Sequence, residues 1–297
     1  MTLAKPTQEP PTLTTREAEH TSLTETDLEL AQSLGPAQIK PVQLVSASGV
    51  AEQLDPVARE IAVALVYNGI SHVVMMASPG DLEDLALGFS LSEGIITHAR
   101  EIQDIHCSYQ PLGIEVNITV NARVMSQIKR QRRNMTGRTG CGLCGAESLQ
   151  QAIRAINTKP LGKAKNIEFA TIQKALASLE QWQPLQQQCG AVHGAAWCNA
   201  AGEILLVKED VGRHNALDKL IGALYQPVYK LDPLELSQGF VLISSRASYE
   251  MVSKASRAGM RYVVAVSAPT TLAIEVAKQV DLTLVGFARS GRHTIYS

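Results

Sequence analysis

The sequence predicts an α/β chain, α+β overall, with an N-terminal α+β subdomain and a C-terminal domain built on a mostly parallel sheet. Three observations carry this reading. Asn68-Gly69 sits between two apolar runs of strand length, and Asn-Gly is the strongest short hairpin signal because a type I′ turn needs positive φ twice. From Phe240 onward, apolar runs alternate with amphipathic segments, the pattern of parallel strands with helices packed outside them. The 297 residues are 45% hydrophobic and 19% charged, enough apolar material for one large or two modest domains.

The first 40 residues are rich in Thr, Glu, Gln and Pro with few large apolar side chains, so they are expected to stay disordered. Ordered structure is expected from near Val42. Ile61 to Val66 and His72 to Met76 read as the two hairpin strands. Pro79-Gly80 breaks the chain, and Asp81 reads as the N-cap of a helix with Leu82, Leu85, Ala86 and Phe89 on one face, ended by Gly94. Ile102 to Tyr109 and Ile114 to Val120 form a second strand pair turning at Pro111-Leu112-Gly113. Residues 41–125 make the N-terminal subdomain, and 126–160 a basic and cysteine-bearing loop with a following helix. Residues 161–297 make the second domain. There Ile172 to Leu179 reads as helix, the Gln-rich stretch Gln181 to Cys189 as a connector, and Ala191 to Trp197 and Ile204 to Val207 as strands. A charged loop, Lys208 to His214, opens a helix through Leu224. Phe240 to Ile243, Tyr262 to Val266 and Leu282 to Phe287 are strands, separated by helices Ser248 to Ala258 and Thr271 to Gln279.

Composition excludes several classes. The formal net charge is -1, which gives no support to a general nucleic-acid role. No apolar run reaches the length of a membrane span, and the polar N-terminus does not read as a signal peptide. Five cysteines without a regular framework fit a reducing compartment, so the expectation is a cytoplasmic protein.

The densest chemistry lies at Arg138-Thr139-Gly140-Cys141-Gly142-Leu143-Cys144-Gly145. The helix expected from Ala146 would place both thiols near its N-terminus, and Lys129, Arg130, Arg132, Arg133 and Arg138 precede them. Helix dipole and positive charge both favour a thiolate. The competing reading is half of a zinc site. Structural zinc takes four ligands, however, and Cys107, Cys189 and Cys198 stand singly.

A second constellation follows from the strand-end rule for open α/β sheets. Four strand ends carry polar or glycine-bearing loops: Lys208 to His214, Ser244 to Arg246, Ser267 to Thr270, and Ala288 to His293. Together they offer Arg213, Arg246, Arg289 and Arg292 with helix N-termini, the makings of an anion or phosphate site. Neither a P-loop nor a dinucleotide fingerprint is present. His193, among small residues, reads as a satisfied core histidine. His214, in the charged loop, has the better functional case. Glu209, Asp210 and Asp218 divide evenly between structural pairing with Lys208, Arg213 and Lys219 and a catalytic part.

Cys-Gly-Leu-Cys-Gly at 141–145, Lys-Glu-Asp-Val-Gly-Arg-His-Asn-Ala-Leu-Asp-Lys at 208–219 and Ser-Ser-Arg-Ala-Ser-Tyr-Glu-Met-Val at 244–252 resemble the FdhD family. The likeness extends to Val-Tyr-Asn-Gly-Ile-Ser-His at 66–72, Asp-Leu-Glu-Asp-Leu-Ala-Leu-Gly at 81–88 and Val-Gly-Phe-Ala-Arg at 285–289, and runs from about Val42 to the end. It implies a sulfur carrier, or accessory sulfurtransferase, for formate dehydrogenase. By the same resemblance a cysteine desulfurase would supply sulfane sulfur, Cys141 would hold it as a persulfide with Cys144 as partner, and the molybdenum of bis-molybdopterin guanine dinucleotide would receive it.

The resemblance also implies that Phe287, Ala288, Arg289, Ser290, Gly291 and Arg292 are the cofactor-binding stretch, with GDP a surrogate ligand, and that the protein is a homodimer. To these, strand-end geometry adds Arg213, His214, Ser245 and Arg246. The family's second domain is a cytidine-deaminase-like three-layer fold. His193 is followed here by Gly194-Ala195 where the family usually has Ala-Ala, and no cysteine pair opens the later helix at Ser245-Arg246. No zinc and no deamination are therefore expected. Two other classes stay open. A dithiol–disulfide oxidoreductase would need both cysteines, and a cofactor-binding chaperone would need neither.

Overall fold

The computed structural model describes residues 35–133, 166–226, 236 and 238–297. Cys141 and Cys144, together with the N-terminal segment up to residue 34, lie outside them.

The described chain begins earlier than expected, with a hairpin of β1 (Ala37–Ser46) and β2 (Gly49–Ala58). Ile39, Val45, Val50 and Leu54 share one of its faces by register, and all four are exposed. Short polar alternation in Gln38-Ile39-Lys40 hides this strand from a hydropathy reading.

A four-stranded sheet follows, in the order β4-β3-β6-β5. β3 (Ile61–Tyr67) and β4 (Ile70–Ala77) form the expected hairpin, with Asn68 at φ 44° and Gly69 at φ 78°. β5 (Ile102–Gln110) and β6 (Gly113–Val120) form the second, and β6 lies parallel to β3. Between the hairpins runs α1 (Leu82–Ser92). Asp81 stands at its N-cap position but at φ 53° and without a side-chain cap. Its carboxylate accepts from Lys208 Nζ at 2.7 Å instead. The basic segment begins within α2 (Ala122–Arg133).

The larger sheet has six strands in the order β12-β11-β10-β9-β7-β8. Its centre, β9 (Phe240–Ile243), β10 (Tyr262–Ala265) and β11 (Thr283–Arg289), is parallel as expected. β7 (His193–Cys198), β8 (Ile204–Asp210) and β12 (Arg292–Ile295) add antiparallel pairings at the flanks, so the whole sheet is mixed. On one face Ala196, Phe240, Leu242, Tyr262, Val264 and Val285 form a core with Ile172, Ala175 and Leu179 of α3 (Phe169–Leu179). On the rest lie α5 (Arg213–Leu224), α6 (Tyr249–Arg257) and α7 (Thr271–Gln279). The Gln-rich connector contains a helix, α4 (Pro184–Cys189). Pro at its first position and Gly190 at φ 66° after its last are start and stop signals. Among the described residues no helix is long and apolar enough to cross a membrane.

Candidate functional site

β7 runs antiparallel to both β8 and β9. The C-terminal ends of β8, β9, β10 and β11 therefore point the same way, with the start of β7 among them. All four loops singled out in the sequence share one edge of the sheet. They do not share one point. β8 and β11 are four strand steps apart in the order, about 19 Å at ~4.8 Å per step. Arg213 thus leaves the chain just beyond β8 and Arg289 at the end of β11, four strands away.

The β8 end is fixed by three consecutive charged residues, each tied to a different neighbour. Lys208 Nζ lies 2.7 Å from Asp81 and 2.9 Å from Asp84. Burial works against its charge, but the two carboxylates outweigh it and hold its pKa above the usual lysine value. The Glu209 carboxylate accepts from the backbone N–H of Leu185 at 2.9 Å and of Gln186 at 2.8 Å. It caps the start of α4, where free N–H groups favour an anion. Burial nevertheless raises its pKa, the two N–H groups offsetting part of that. Asp210 is fully buried. It accepts from Ser78 N at 3.0 Å, Gly212 N at 2.8 Å and Asn215 Nδ2 at 3.0 Å, and pairs with buried Lys219 at 2.7 Å. Structural pairing accounts for all three, and Asp218 too is tied up, 2.8 Å from Lys254.

Beside this anchor stand His193, Arg213 and His214. His193 opens β7 opposite Asp210. Burial, then the charges of Arg213 and His214, push its pKa below the ordinary histidine value, with Asp210 pulling the other way. Arg213 is the first residue of α5, and its buried Nε has no hydrogen-bond partner among the described residues. His214 Nε2 lies 2.7 Å from Glu250 Oε2 of α6. That close contact with His214 is the largest of the influences that hold the Glu250 carboxyl below its usual range. Ser245 is buried and donates to the Arg246 carbonyl, whereas Arg246 is exposed.

At the β10–β11 end the edge opens into a cleft of about 520 Å³. Ala288, Arg289 and Ser290 form one wall, Ser244 and Val266 the strand-end floor, and α3 with the α4 region the other wall. Phe287 takes φ 48°, a left-handed conformation rare for a bulky residue. The ladder between β11 and β12 shifts register there, and Phe287 N donates to the Ser267 carbonyl at 3.0 Å. This bend carries the following residues into the cleft wall. Gly291 N donates to Gln173 Oε1 at 2.8 Å, while Arg292 starts β12.

The residues missed by the sequence reading are Gln173, Gln183, Gln186 and Gln187, all of which line the cleft. Three of them come from the stretch read as a connector. The cleft joins the His193 cluster through Gly194 and Ser244, which exchange hydrogen bonds: Gly194 N to Ser244 Oγ at 2.9 Å and Ser244 N to the Gly194 carbonyl at 3.0 Å.

Of the described cysteines, Cys198 has its thiol pKa pushed up by burial, and Cys107 by burial and the carboxylate of Glu83. Both are held in the poorly nucleophilic thiol form. Among the described residues no group of three or more His, Cys, Asp and Glu side chains is arranged to hold a metal ion.

The family model described as FdhD/NarQ matches residues 58–297. A sulfur carrier protein FdhD of Cupriavidus necator is 50% identical over 243 residues, 82% of each chain. Another, of Variovorax paradoxus, is 46% identical over 263 residues, 89% of this chain and 92% of that one. A crystal structure from Desulfotalea psychrophila, described as a formate dehydrogenase accessory protein, superposes with a TM-score of 0.68 at 24% identity over 89% of this chain and 97% of its own. At that identity the likeness is one of fold.

Proposed function

The chain belongs to the FdhD/NarQ family, and from that premise we propose that it is a sulfur carrier serving a formate dehydrogenase. In this reading the Cys141 thiolate attacks the outer sulfur of a persulfide on a cysteine desulfurase. The donor's S–S bond breaks, the desulfurase leaves as a thiolate, and Cys141 becomes the persulfide. The receiving substrate is the molybdenum of bis-molybdopterin guanine dinucleotide. Delivery as sulfide takes two electrons, which Cys141 and Cys144 supply by closing a disulfide. The carrier is a sulfurtransferase of the reducing cytoplasm and acts as a homodimer.

The observation that best supports this reading is the shared edge. Five strand termini line up there, and the ~19 Å between the β8 and β11 strand ends gives room for an elongated, multiply anionic cargo rather than a single phosphate. Arg289 and Ser290 stand at one end and Arg213 at the other, with Ser244 between them. Cys107 and Cys198, both with raised pKa, and Cys189, whose thiol donates to the Leu185 carbonyl at 3.0 Å, are poorer candidates for thiolate chemistry than the Cys-x-x-Cys motif.

The test is intact and peptide mass spectrometry after incubation with an active cysteine desulfurase and cysteine. A reductant-labile sulfur on the Cys141 peptide, lost in Cys141→Ala and retained in Cys144→Ala, is the expected result. No added sulfur on the unsubstituted protein would overturn the relay in favour of a binding chaperone.

A further inference from the structure

We infer that the β1–β2 hairpin is an exchange arm: in a pair of copies, the arm of each chain lies on the open face of the other chain's β3–β4 strands. The inference rests on the reading that the carrier is a homodimer, and it deepens that reading to a named interface.

The arm projects from the rest of the chain. Its two strands form a sheet of their own, paired over ten residues, about 33 Å at ~3.3 Å per residue. Ala37, Pro56 and Ala58, at its open end, are partly buried, and Arg59 N closes that end by donating to the Pro36 carbonyl at 2.9 Å. Every residue from Gln43 to Asp55 is exposed, on both faces. Val45 is 73% exposed, Val50 64% and Leu54 71%, and these share a face with Ile39. Leu44 and Val57 stand exposed on the other face. A free two-stranded hairpin is marginal in water, and long apolar strands left open invite another chain.

The receiving surface lies on the smaller sheet. Ala62 pairs with Met76 and Ala64 with Val74, so these four side chains share a face. Val74 is 60% and Met76 49% exposed, two residues apart on an edge strand. Val63 and Leu65, which point the other way, are fully buried. Along β6 the open face turns polar, with Glu115 and Thr119 exposed. The result is an apolar strip with a polar border.

Within one chain arm and strip are both exposed, so neither covers the other. The first 34 residues, rich in Thr, Glu, Gln and Pro, are a poor cover for either. A second copy supplies both partners at once, because under two-fold symmetry arm meets strip and strip meets arm. The eight residues of β4 give a strip about 27 Å long and, at two strands, ~10 Å wide. Two arms on two strips cover roughly 1,100 Å² in all, above the ~1,000 Å² that a specific interface needs.

The experiment is analytical ultracentrifugation of the full chain over a concentration series. The unsubstituted protein is expected to sediment as a dimer. Val45→Glu with Val50→Glu on the arm, and Val74→Glu with Met76→Glu on the strip, should each raise the dimer Kd at least about a hundredfold, since every change occurs twice in a symmetric pair. All four side chains are exposed in the single chain, so far-UV circular dichroism should find both variants folded. Mixing the arm variant with the strip variant leaves one intact arm on one intact strip, and the mixed dimer should form more tightly than either variant with itself. A dimer unchanged in both variants overturns the arm and leaves the homodimer reading standing. A mixed pair no tighter than the separate variants overturns the exchange of arm onto strip. An unsubstituted protein that stays monomeric overturns both readings, and if its arm variant then fails to take sulfur from the desulfurase, the arm belongs to the donor protein.

Discussion

Gly88 and Gly222 face each other where α1 of the smaller sheet crosses α5 of the larger one. A Cβ built on Gly88 would lie 1.7 Å from the Asp218 carbonyl oxygen and 2.7 Å from Gly222 N, and one on Gly222 would lie 1.9 Å from the Asp84 carbonyl oxygen. The obstructing atoms are backbone, which cannot rotate away, so the crossing exists only because both positions lack a side chain. Gly88→Ala and Gly222→Ala are each expected to destabilise the protein by about 3 kcal/mol, at the upper end of overpacking costs. Gly69→Ala meets no neighbouring atom within 4 Å and should cost only the strain of its positive φ, about 1 kcal/mol. Chemical denaturation of the three variants checks the order.

Behind that crossing, Lys254 of α6 reaches between the two parts. Its Nζ lies 2.8 Å from Asp218, 2.9 Å from Glu93 and 3.0 Å from Ser92, and it sits 5.2 Å from the centre of the Phe89 ring. Lys254→Met leaves Asp218 buried and uncompensated, a loss of about 3–5 kcal/mol. Lys254→Met with Asp218→Leu removes both charges and should cost less than the sum of the single changes. A double-mutant cycle by urea unfolding measures the difference.

Two groups give the protein separate acid-side sensitivities. His193 has a folded pKa below the ordinary 6.5. The unfolded chain therefore holds that proton more tightly, and stability falls as pH drops below 6.5 and on through the folded value. Glu250 has a folded pKa below the ordinary 4.5. Its contribution is complete above 4.5 and is lost as pH falls through the folded value. His193→Gln should flatten the upper window only and Glu250→Gln the lower one only. Stability measured against pH separates them, and proton NMR of the His193 ring should give a midpoint below 6.5.

Thiol reactivity should sort by environment. Cys198 is fully buried and Cys107 sits 3.4 Å from the Glu83 carboxylate, so neither should react with iodoacetamide at pH 7 on the timescale of an exposed thiol. Peptide mapping of the folded protein should find Cys141 and Cys144 labelled faster than Cys107 and Cys198. Fast labelling of Cys198 would contradict the packing described above.

What the sequence disclosed was mostly local. Asn68-Gly69 announced its turn because positive φ at both positions is a property of the dipeptide itself. The helix read from Thr271 is there, and Thr270 just before it caps it, accepting from Ala273 N at 3.3 Å. The alternation after Phe240 gave the parallel centre because each strand pairs with the next through one helix. Long-range pairing was not legible. Nothing in the chain says that β7 inserts between β8 and β9, and Asp81 abandons its cap because Lys208, far along the chain, takes its carboxylate. The strand-end loops were found because residue type and turn position marked them. The glutamine wall was missed because glutamine carries no such mark. Its role follows from α4 being pinned by Glu209, a contact invisible before folding.

The length of the shared edge makes the last prediction. With Arg213 and Arg289 four strand steps apart, a ligand filling only the cleft can reach the β11 end alone. GDP binding should therefore weaken about tenfold in Arg289→Ala, the loss of one charge-assisted contact, and stay within about twofold in Arg213→Ala. A dinucleotide that spans the edge should lose affinity in both, and the two effects should multiply in the double variant because the sites share no partner. Titration with a mononucleotide and with the full dinucleotide cofactor tells an extended site from a compact one. Equal losses for GDP in both single variants would mean that the two arginines converge after all.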